Sequence, residues 1–450
     1  MASTLIGRQA VVVGGGMGGL PAARALADYF EHVIVLERDA LPADASPRIG
    51  TPQSRHTQAL LGGGQRALCK LFPGFEQDLA GAGAVPVKVG LDVHLERPGF
   101  DPFPQRDLGW IGYAMSRPLI ELTARQRVER YKNITIHTHC RARELVPSPD
   151  GNAVSAIRFE NSDGRSETLP ADLVIEASGR GSLSLGFLQS ISQPPPEETV
   201  IGVDIAYASA LFAIPDDAPA DWTGVMTFDS PARGGLAGIM LPLERNRWIT
   251  TLVGRHGYIP PADREGFLAY AGQLRTPTLY DAIKKAEQLG EIARFGFPAS
   301  VYRHFDRLEK FPRGLLPLGD AVCRFNPVYG QGMSVAAQEA CLLHELLRRR
   351  ADQTDPLAGL APAFFAEAVT LIETPWALAV VPDLAHPGTE GQRPKDLQQR
   401  LEFGEGLNRL AAHDAAVHKL LFEVLHLLKP QSVLREPELV ERVKAFAAQA

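Results

Sequence analysis

The chain holds only four cysteines in 450 residues, Cys69, Cys140, Cys323 and Cys341, and no two lie close enough for a Cys-x-x-Cys pair. That spacing excludes a zinc ribbon or a disulfide framework and points to free thiols in a reducing cytoplasm. Cations are in deficit, 46 Lys and Arg against 52 Asp and Glu, which argues against a nucleic-acid partner, since that would call for a basic patch. The run Arg348 to Arg350 reads as the cationic last turn of a helix. No uninterrupted apolar run reaches the roughly 18 residues of a membrane-spanning helix, and no charged and apolar leader precedes the first strand. The expectation is a soluble, cytoplasmic protein without a signal peptide or membrane association. His137 and His139 share a strand face but lack a third ligand, so no metal site is expected.

What the chain does have is glycine where backbone must turn. Residues 8–39 read as an apolar strand (Ala10 to Val13), a glycine turn, a helix to about Tyr29 and a second apolar strand (Val33 to Leu36) ending in an acid. Gly14, Gly16 and Gly19 satisfy G-x-G-x-x-G in the context that gives the pattern meaning, after a strand and at the mouth of a helix. Gly14 permits the tight turn, Gly16 the approach of a pyrophosphate, and Gly19 close helix–strand packing. The free N–H groups at the helix start suit phosphate, and Pro21 sits in the first turn, where its missing N–H is not needed. Glu37 is placed to accept from a ribose 2′-OH and would repel a 2′-phosphate, which favours FAD or NAD over NADP at this site. Arg38, Arg48, Arg55 and His56 follow closely, with the arginines as candidate pyrophosphate contacts.

Further along, Gly62-Gly63-Gly64 lies in a helix from Gln58 to Leu71 with no strand before it, so it reads as a point of close backbone approach. Ser116-Arg117-Pro118 opens a helix. Val154 to Phe159 and Ser166 to Leu169 flank a hairpin turn, and Ala171 to Ile175 is a buried strand leading to Ala177-Ser178-Gly179-Arg180-Gly181-Ser182. Beyond Pro194-Pro195-Pro196, segments between Val200 and Val253 alternate as strands. Gly319-Asp320-Ala321 ends another buried strand, and Phe325-Asn326-Pro327-Val328-Tyr329-Gly330-Gln331-Gly332-Met333 opens the long helix Ser334 to Arg349. From Pro356 the chain reads as helical, interrupted at Thr374-Pro375-Trp376 and by a loop from Pro382 to Pro394. An apolar stripe at Leu420, Leu421, Val424, Leu425 and Leu428 completes it. The expected class is α/β: a Rossmann-like FAD-binding domain from residues 1–190 with 290–350, a β-rich substrate domain at 191–289 with further strands inserted near 85–115, and a helical C-terminal region at 351–450.

Three stretches, Val12 to Gly19 with Glu37, Asp172 to Gly181, and Gly319 to Ala321 with Pro327 to Met333, together resemble the FAD-dependent monooxygenase superfamily of the aromatic-hydroxylase type, whose FAD domain is glutathione-reductase-like. The likeness covers most of the chain up to about Arg350. Within it, Gly50 to His56, Ser116 to Leu119 and the middle and last motifs look like the branch of bacterial polyether and polyene epoxidases. The resemblance implies that Gly14, Gly16, Gly18 and Gly19 bind the FAD pyrophosphate and Glu37 the adenosine ribose. It also implies that Arg38, Arg48 and Arg117 lie on the cofactor side, that Gly319 and Asp320 hold the ribityl chain, and that Pro327, Gly330, Gln331, Gly332 and Met333 flank the flavin. It further implies reduction by NAD(P)H, transient or through a separate flavin reductase, and transfer of one oxygen from a C4a-hydroperoxyflavin to an apolar natural-product-type substrate by epoxidation or hydroxylation. The middle motif departs from the family, with Glu176-Ala177-Ser178-Gly179 where many members carry an Asp-Gly pair linked to NAD(P)H and flavin binding.

No acid–base pair stands out; His56, Tyr113 and Tyr329 are the candidate catalytic side chains. A flavin-dependent halogenase would share the fold, but its Trp-x-Trp-x-Ile-Pro signature is absent among Trp110, Trp222, Trp248 and Trp376. An isoprenoid double-bond reductase and a non-catalytic FAD-fold protein that binds lipid or prenyl groups are the alternatives.

Overall fold

A continuous apolar strand followed by a glycine turn and a helix can bury both faces only inside a parallel sheet. The protein, described by a computed structural model over residues 5–447, builds such a sheet first. Its strands are β1 (Gly7–Val13), β2 (Phe30–Leu36), β4 (Ile134–His137), β5 (Leu173–Glu176) and β11 (Leu315–Pro317), in the order β11-β5-β1-β2-β4 and all parallel. Helix α1 (Gly19–Ala27) crosses from β1 to β2, and α3 (Arg117–Val128) precedes β4. Ala10, Val11 and Val12 are fully buried at its centre.

A second, mainly antiparallel sheet stands beside it. Its order is β12 (Cys323–Arg324), β10 (Gln288–Arg303), β6 (Glu198–Ala213), β9 (Arg247–Arg255), β8 (Ala237–Leu243), β7 (Gly224–Phe228) and β3 (Val93–Glu96). Strand β3 joins the edge in parallel with β7. Residues 290–303, grouped by sequence with the first unit, run in this sheet because β10 pairs with β6 along nearly its whole length.

Helix α2 (Gly62–Leu71) starts at the glycine triplet. A Cβ on Gly64 would lie 2.5 Å from Ser334 Cα, and one on Gly63 2.3 Å from the Leu427 carbonyl oxygen. The cluster is therefore where α2 meets the backbone of α5 (Gly332–Arg350) and of a C-terminal turn.

Helix α6 (Leu360–Leu384) runs unbroken through Pro375 and Pro382, where the sequence predicts an interruption. A helix-interior proline costs about 3 kcal/mol. Burial of Phe364, Phe365, Ala368, Ile372 and Ala379 against the rest of the protein offsets this. Among the described residues α6 is also the one helix long and apolar enough to cross a membrane by length and composition, with mean hydropathy 1.5. Helices α7 (Leu397–His413), α8 (Ala415–Leu425) and α9 (Pro437–Ala447) close the chain. Of the predicted stripe, Leu421 and Val424 are buried in a separate core with Leu407 and Leu410 and Leu420 packs against it, whereas Leu425 is exposed and Leu428 lies beyond the end of α8.

Candidate cofactor and substrate site

The first half of the site forms where β1 gives way to α1. Gly14 adopts φ +104° and donates to the Leu36 carbonyl at 2.9 Å. A Cβ on Gly19 would stand 1.8 Å from the Gly14 carbonyl oxygen, so only glycine lets α1 sit this close to the turn. Gly16 behaves differently. A Cβ there would make only ordinary contact, with Arg48 Nη2 at 3.5 Å and with Arg117 Nη2 and Glu121 Oε2 at 3.7 Å, so two guanidiniums and a carboxylate converge on this glycine. A small, open cleft lined by Pro42, Arg48, Thr51, Arg117 and Glu121 lies beside these side chains. Gly18 makes ordinary contact with Ala177 and Leu318.

Glu37 is buried. Its Oε2 accepts from Gly15 N at 2.7 Å, and its Oε1 accepts from Asp39 N at 3.0 Å and lies 3.2 Å from Arg48 Nη1. A carboxylate has about four acceptor positions, so room remains for a hydroxyl. Arg38 is exposed, its Nη2 donating to the Gly50 carbonyl at 3.4 Å and its Nε lying 3.9 Å from Asp39 Oδ1.

The second half comes from the far end of the sheet. Gly319, at φ +66°, donates to Glu339 Oε2 at 2.6 Å. Burial pushes the Asp320 carboxyl up from its ordinary range, while Arg324 and Arg117 pull it back. Arg117 thus acts on both halves. A Cβ on Gly332 would lie 3.5 Å from Asp320 Oδ1, placing the acid at the start of α5. Gly330, at φ +66°, turns the chain into that helix against Ala59. Pro327 opens the short turn Pro327–Tyr329, and Met333 is buried in the main core.

Several buried polar atoms around this groove have no hydrogen-bond partner: Arg117 Nε, Arg324 Nε, Gln331 Oε1 and Glu339 Oε1. Such atoms are costly unless something satisfies them. Together with the two guanidiniums that converge beside Gly16 they fit a dinucleotide running from Glu37 to Gly332. Glu339, fully buried on α5, has its carboxyl raised to about 8 by desolvation.

The middle motif has a different role. Glu176 points inward and caps α4 (Ser182–Ser190), accepting from Leu183 N at 3.0 Å, Ser184 N at 2.7 Å and Ser178 Oγ at 2.8 Å. Its carboxylate is occupied within the protein.

Of the three candidate catalytic side chains, two lie at the seam between the sheets. His56 is buried between the rings of Tyr207 and Phe295, its Nδ1 2.7 Å from Ser209 Oγ, and desolvation lowers it to about 4, so the ring is neutral. Ser209 continues to Thr251 at 2.6 Å, and Thr251 to Thr57 at 2.8 Å. The Tyr329 hydroxyl donates to Asp383 Oδ1 at 2.9 Å, and burial beside Asp383 drives that phenol well up. Tyr113 lies apart, packed against the main core from the strand Gly112–Ala114. His137 and His139 are exposed, and no group of metal ligands exists among the described residues.

Sequence reasoning missed the network around Tyr329. Asp383, in the last turn of α6, takes Arg255 Nη1 and Asn326 Nδ2, each at 2.9 Å, besides Tyr329. Burial pushes its carboxyl up, and those three donors pull against it. A lone acid within the apolar run Ala377 to Leu384 was the available signal. Above this network, half-buried Phe295, Val328, Trp376 and Val380 line the junction of the second sheet with α6.

No family model matches the chain. Protein Rv3254 of Mycobacterium tuberculosis (strain ATCC 25618 / H37Rv) is 34% identical over 353 residues, covering 76% of this chain and 73% of that protein. Among solved structures, the flavin-dependent brominase Bmp2 matches with TM-score 0.68 at 13% identity, over 99% of this chain and 100% of that one. PqsL, a probable FAD-dependent monooxygenase from Pseudomonas aeruginosa, matches with TM-score 0.58 at 15% identity, over 85% of this chain and 99% of that one.

Proposed function

Because the chain belongs to the family of Protein Rv3254 and has the fold of the aromatic-hydroxylase-type FAD superfamily, we propose that it is an FAD-dependent monooxygenase acting on an apolar, natural-product-type substrate. The observation that carries this reading is the meeting of three distant segments in one groove. The glycine turn with Glu37, the start of α3 with Arg117, and the Gly319–Gly332 stretch supply, in order, what an adenosine, a pyrophosphate and a ribityl-flavin need.

In this reading Gly14, Gly16 and Gly19 admit the pyrophosphate, Arg48 and Arg117 neutralise it, and Asp320 accepts from ribityl hydroxyls. The amides at the start of α5 favour negative charge on the ring beside them. Bound FAD, reduced by NAD(P)H, would supply the oxygen-activating chemistry, as cofactors of this kind do. The protein's share is to exclude water and orient the substrate. Phe295, Val328, Trp376 and Val380 offer an apolar wall for that purpose. His56, neutral and joined through Nδ1 to Ser209, can hold or pass a proton without a charge being stored in the apolar seam. An alkene epoxidation needs no strong base, which suits an imidazole lowered to about 4; in hydroxylation of a phenol His56 could only relay the proton on to Ser209 and Thr251.

With Glu176 engaged in capping α4, the usual acidic contact to a nicotinamide nucleotide is missing. NAD(P)H therefore binds transiently or a separate flavin reductase delivers the electrons.

The test is to purify the protein, identify any bound flavin, and add NAD(P)H with candidate alkenes and phenols, in the presence of bromide and chloride, with and without a flavin reductase. Oxygen uptake with a product that has gained one oxygen supports the proposal. Loss of a double bond without oxygen uptake makes it a reductase, halogen incorporation a halogenase, and a protein that cannot be loaded with FAD ends the reading.

A further inference from the structure

The two arginines beside Gly16 do not stand there by themselves. Arg48 Nη1 is held by Asp39 Oδ2 at 2.9 Å and Glu37 Oε1 at 3.2 Å, and Arg48 Nε by Glu121 Oε1 at 2.7 Å. That leaves Nη2, the atom nearest to Gly16's missing side chain. Arg117, one turn before Glu121 on α3, directs its own Nη2 toward the same space, and its anchor is Glu121 Oε2 at 3.4 Å. Its Nε is buried without a partner. Glu121 is itself buried. One carboxylate thus splits its two oxygens between two guanidiniums that arrive from different parts of the chain.

Resting on the FAD reading above, we propose that Glu121 is a positioning residue for the dinucleotide pyrophosphate: it sets Arg48 and Arg117 so that Nη2 of each stands beside Gly16, that of Arg48 unpaired and that of Arg117 with one hydrogen on Glu121 Oε2 and the other left for phosphate. Long cationic side chains lose conformational freedom when they bind, and a partner that fixes them beforehand removes much of that cost.

The charge balance makes the idea decidable. Glu37, Asp39 and Glu121 bring three negative charges to Arg48 and Arg117, and the third cation, Arg38, is solvent-exposed and paired only with Asp39, at 3.9 Å. By Coulomb's law alone, neutralising Glu121 would make the space more attractive to a dianion. Positioning predicts the opposite sign.

The experiment titrates ADP, FAD and FMN by calorimetry into the full-length protein freed of flavin, as wild type, Glu121→Gln and Glu121→Asp, with each fold checked by thermal unfolding. Glu121→Gln should weaken FAD and ADP alike by about tenfold or more, the loss expected when charge-assisted contacts are misdirected. FMN, which keeps only one of the two phosphates, should lose less than FAD or ADP. Glu121→Asp keeps the buried charge but is one methylene short, so it should fall between the two and covers the case in which Glu121→Gln fails to fold. Unchanged or tighter ADP binding by a folded variant overturns the proposal while leaving the FAD reading intact. A wild type that binds neither FAD nor ADP overturns both.

Discussion

The Tyr329 hydroxyl and Asp383 Oδ1, 54 residues apart, are joined at 2.9 Å and couple the turn before α5 to the last turn of α6. Arg255 completes the join from the second sheet, so one buried carboxylate links three parts of the fold.

Removing that carboxylate leaves the Arg255 charge buried and unpaired. Asp383→Ala should lower unfolding free energy by about 3–5 kcal/mol, whereas Tyr329→Phe, which deletes one hydrogen bond, should cost about 1 kcal/mol. Urea unfolding of the two variants checks both values. Equal losses would mean that the ion pair contributes nothing beyond a hydrogen bond.

The glycines of the first turn should separate by phenotype. Gly19→Ala puts a carbon 1.8 Å from the Gly14 carbonyl oxygen and should leave little folded protein. Gly16→Ala meets no atom closer than 3.5 Å, so its melting temperature should stay near that of wild type while flavin content falls sharply. Thermal unfolding and the absorbance of purified protein measure the two effects, and a Gly16→Ala protein fully loaded with flavin would refute the assignment of that space.

Helix contact at the triplet gives a third expectation. Gly64→Ala must push α2 away from Ser334, from which the new carbon would stand 2.5 Å, and should destabilise by about 1–3 kcal/mol. Chemical denaturation reads this directly, and a neutral result would show that the two helices can slide apart freely.

Stability should fall with acid through the buried imidazoles. His56, His386, His418 and His426 are each lowered to about 4, chiefly by desolvation. The unfolded chain therefore binds more protons than the folded one between pH 6.5 and about 4. Their contribution is complete above pH 6.5 and is lost as pH falls toward 4, with a limiting slope of about 1.4 kcal/mol per pH unit for each group. Glu339 works in the other direction. Raised to about 8, its neutral form is favoured by the fold, complete below pH 4.5 and lost as pH rises to 8. Urea titrations at stepped pH should show a positive slope below 6.5. Glu339→Gln should flatten the alkaline limb, and a flat acid limb in the wild type would contradict the burial of these rings.

The turn from β1 to α1 was legible in sequence because everything that determines it is local: an apolar run, glycines at fixed offsets and an acid at the end of β2. The same holds for the Gly62–Gly64 contact, where the absence of a preceding strand separated it from a phosphate loop. The Arg255–Asp383 pair was not legible: a lone acid in an apolar run marks Asp383 as buried, but nothing local names a partner 128 residues away. The course of α6 through Pro375 was not legible either, because packing from the rest of the protein overrides a local preference. Glu121 lay between these cases. Its spacing from Arg117 marks a helical ion pair, but only the arrival of Arg48 from 73 residues away gives it a second partner.

The groove draws on residues from Gly14 to Met333, with its two ends built by segments some three hundred residues apart. Contacts of such sequence separation form late, since long loops must close first. A ribosome that has released only the first β-α-β unit has made a nucleotide turn with no place for a flavin ring, and α5 must be out before the ring has its seat. Under the proposed FAD reading, loading would follow synthesis, and the yellow colour of a wild-type preparation would require chains finished and folded through to α5.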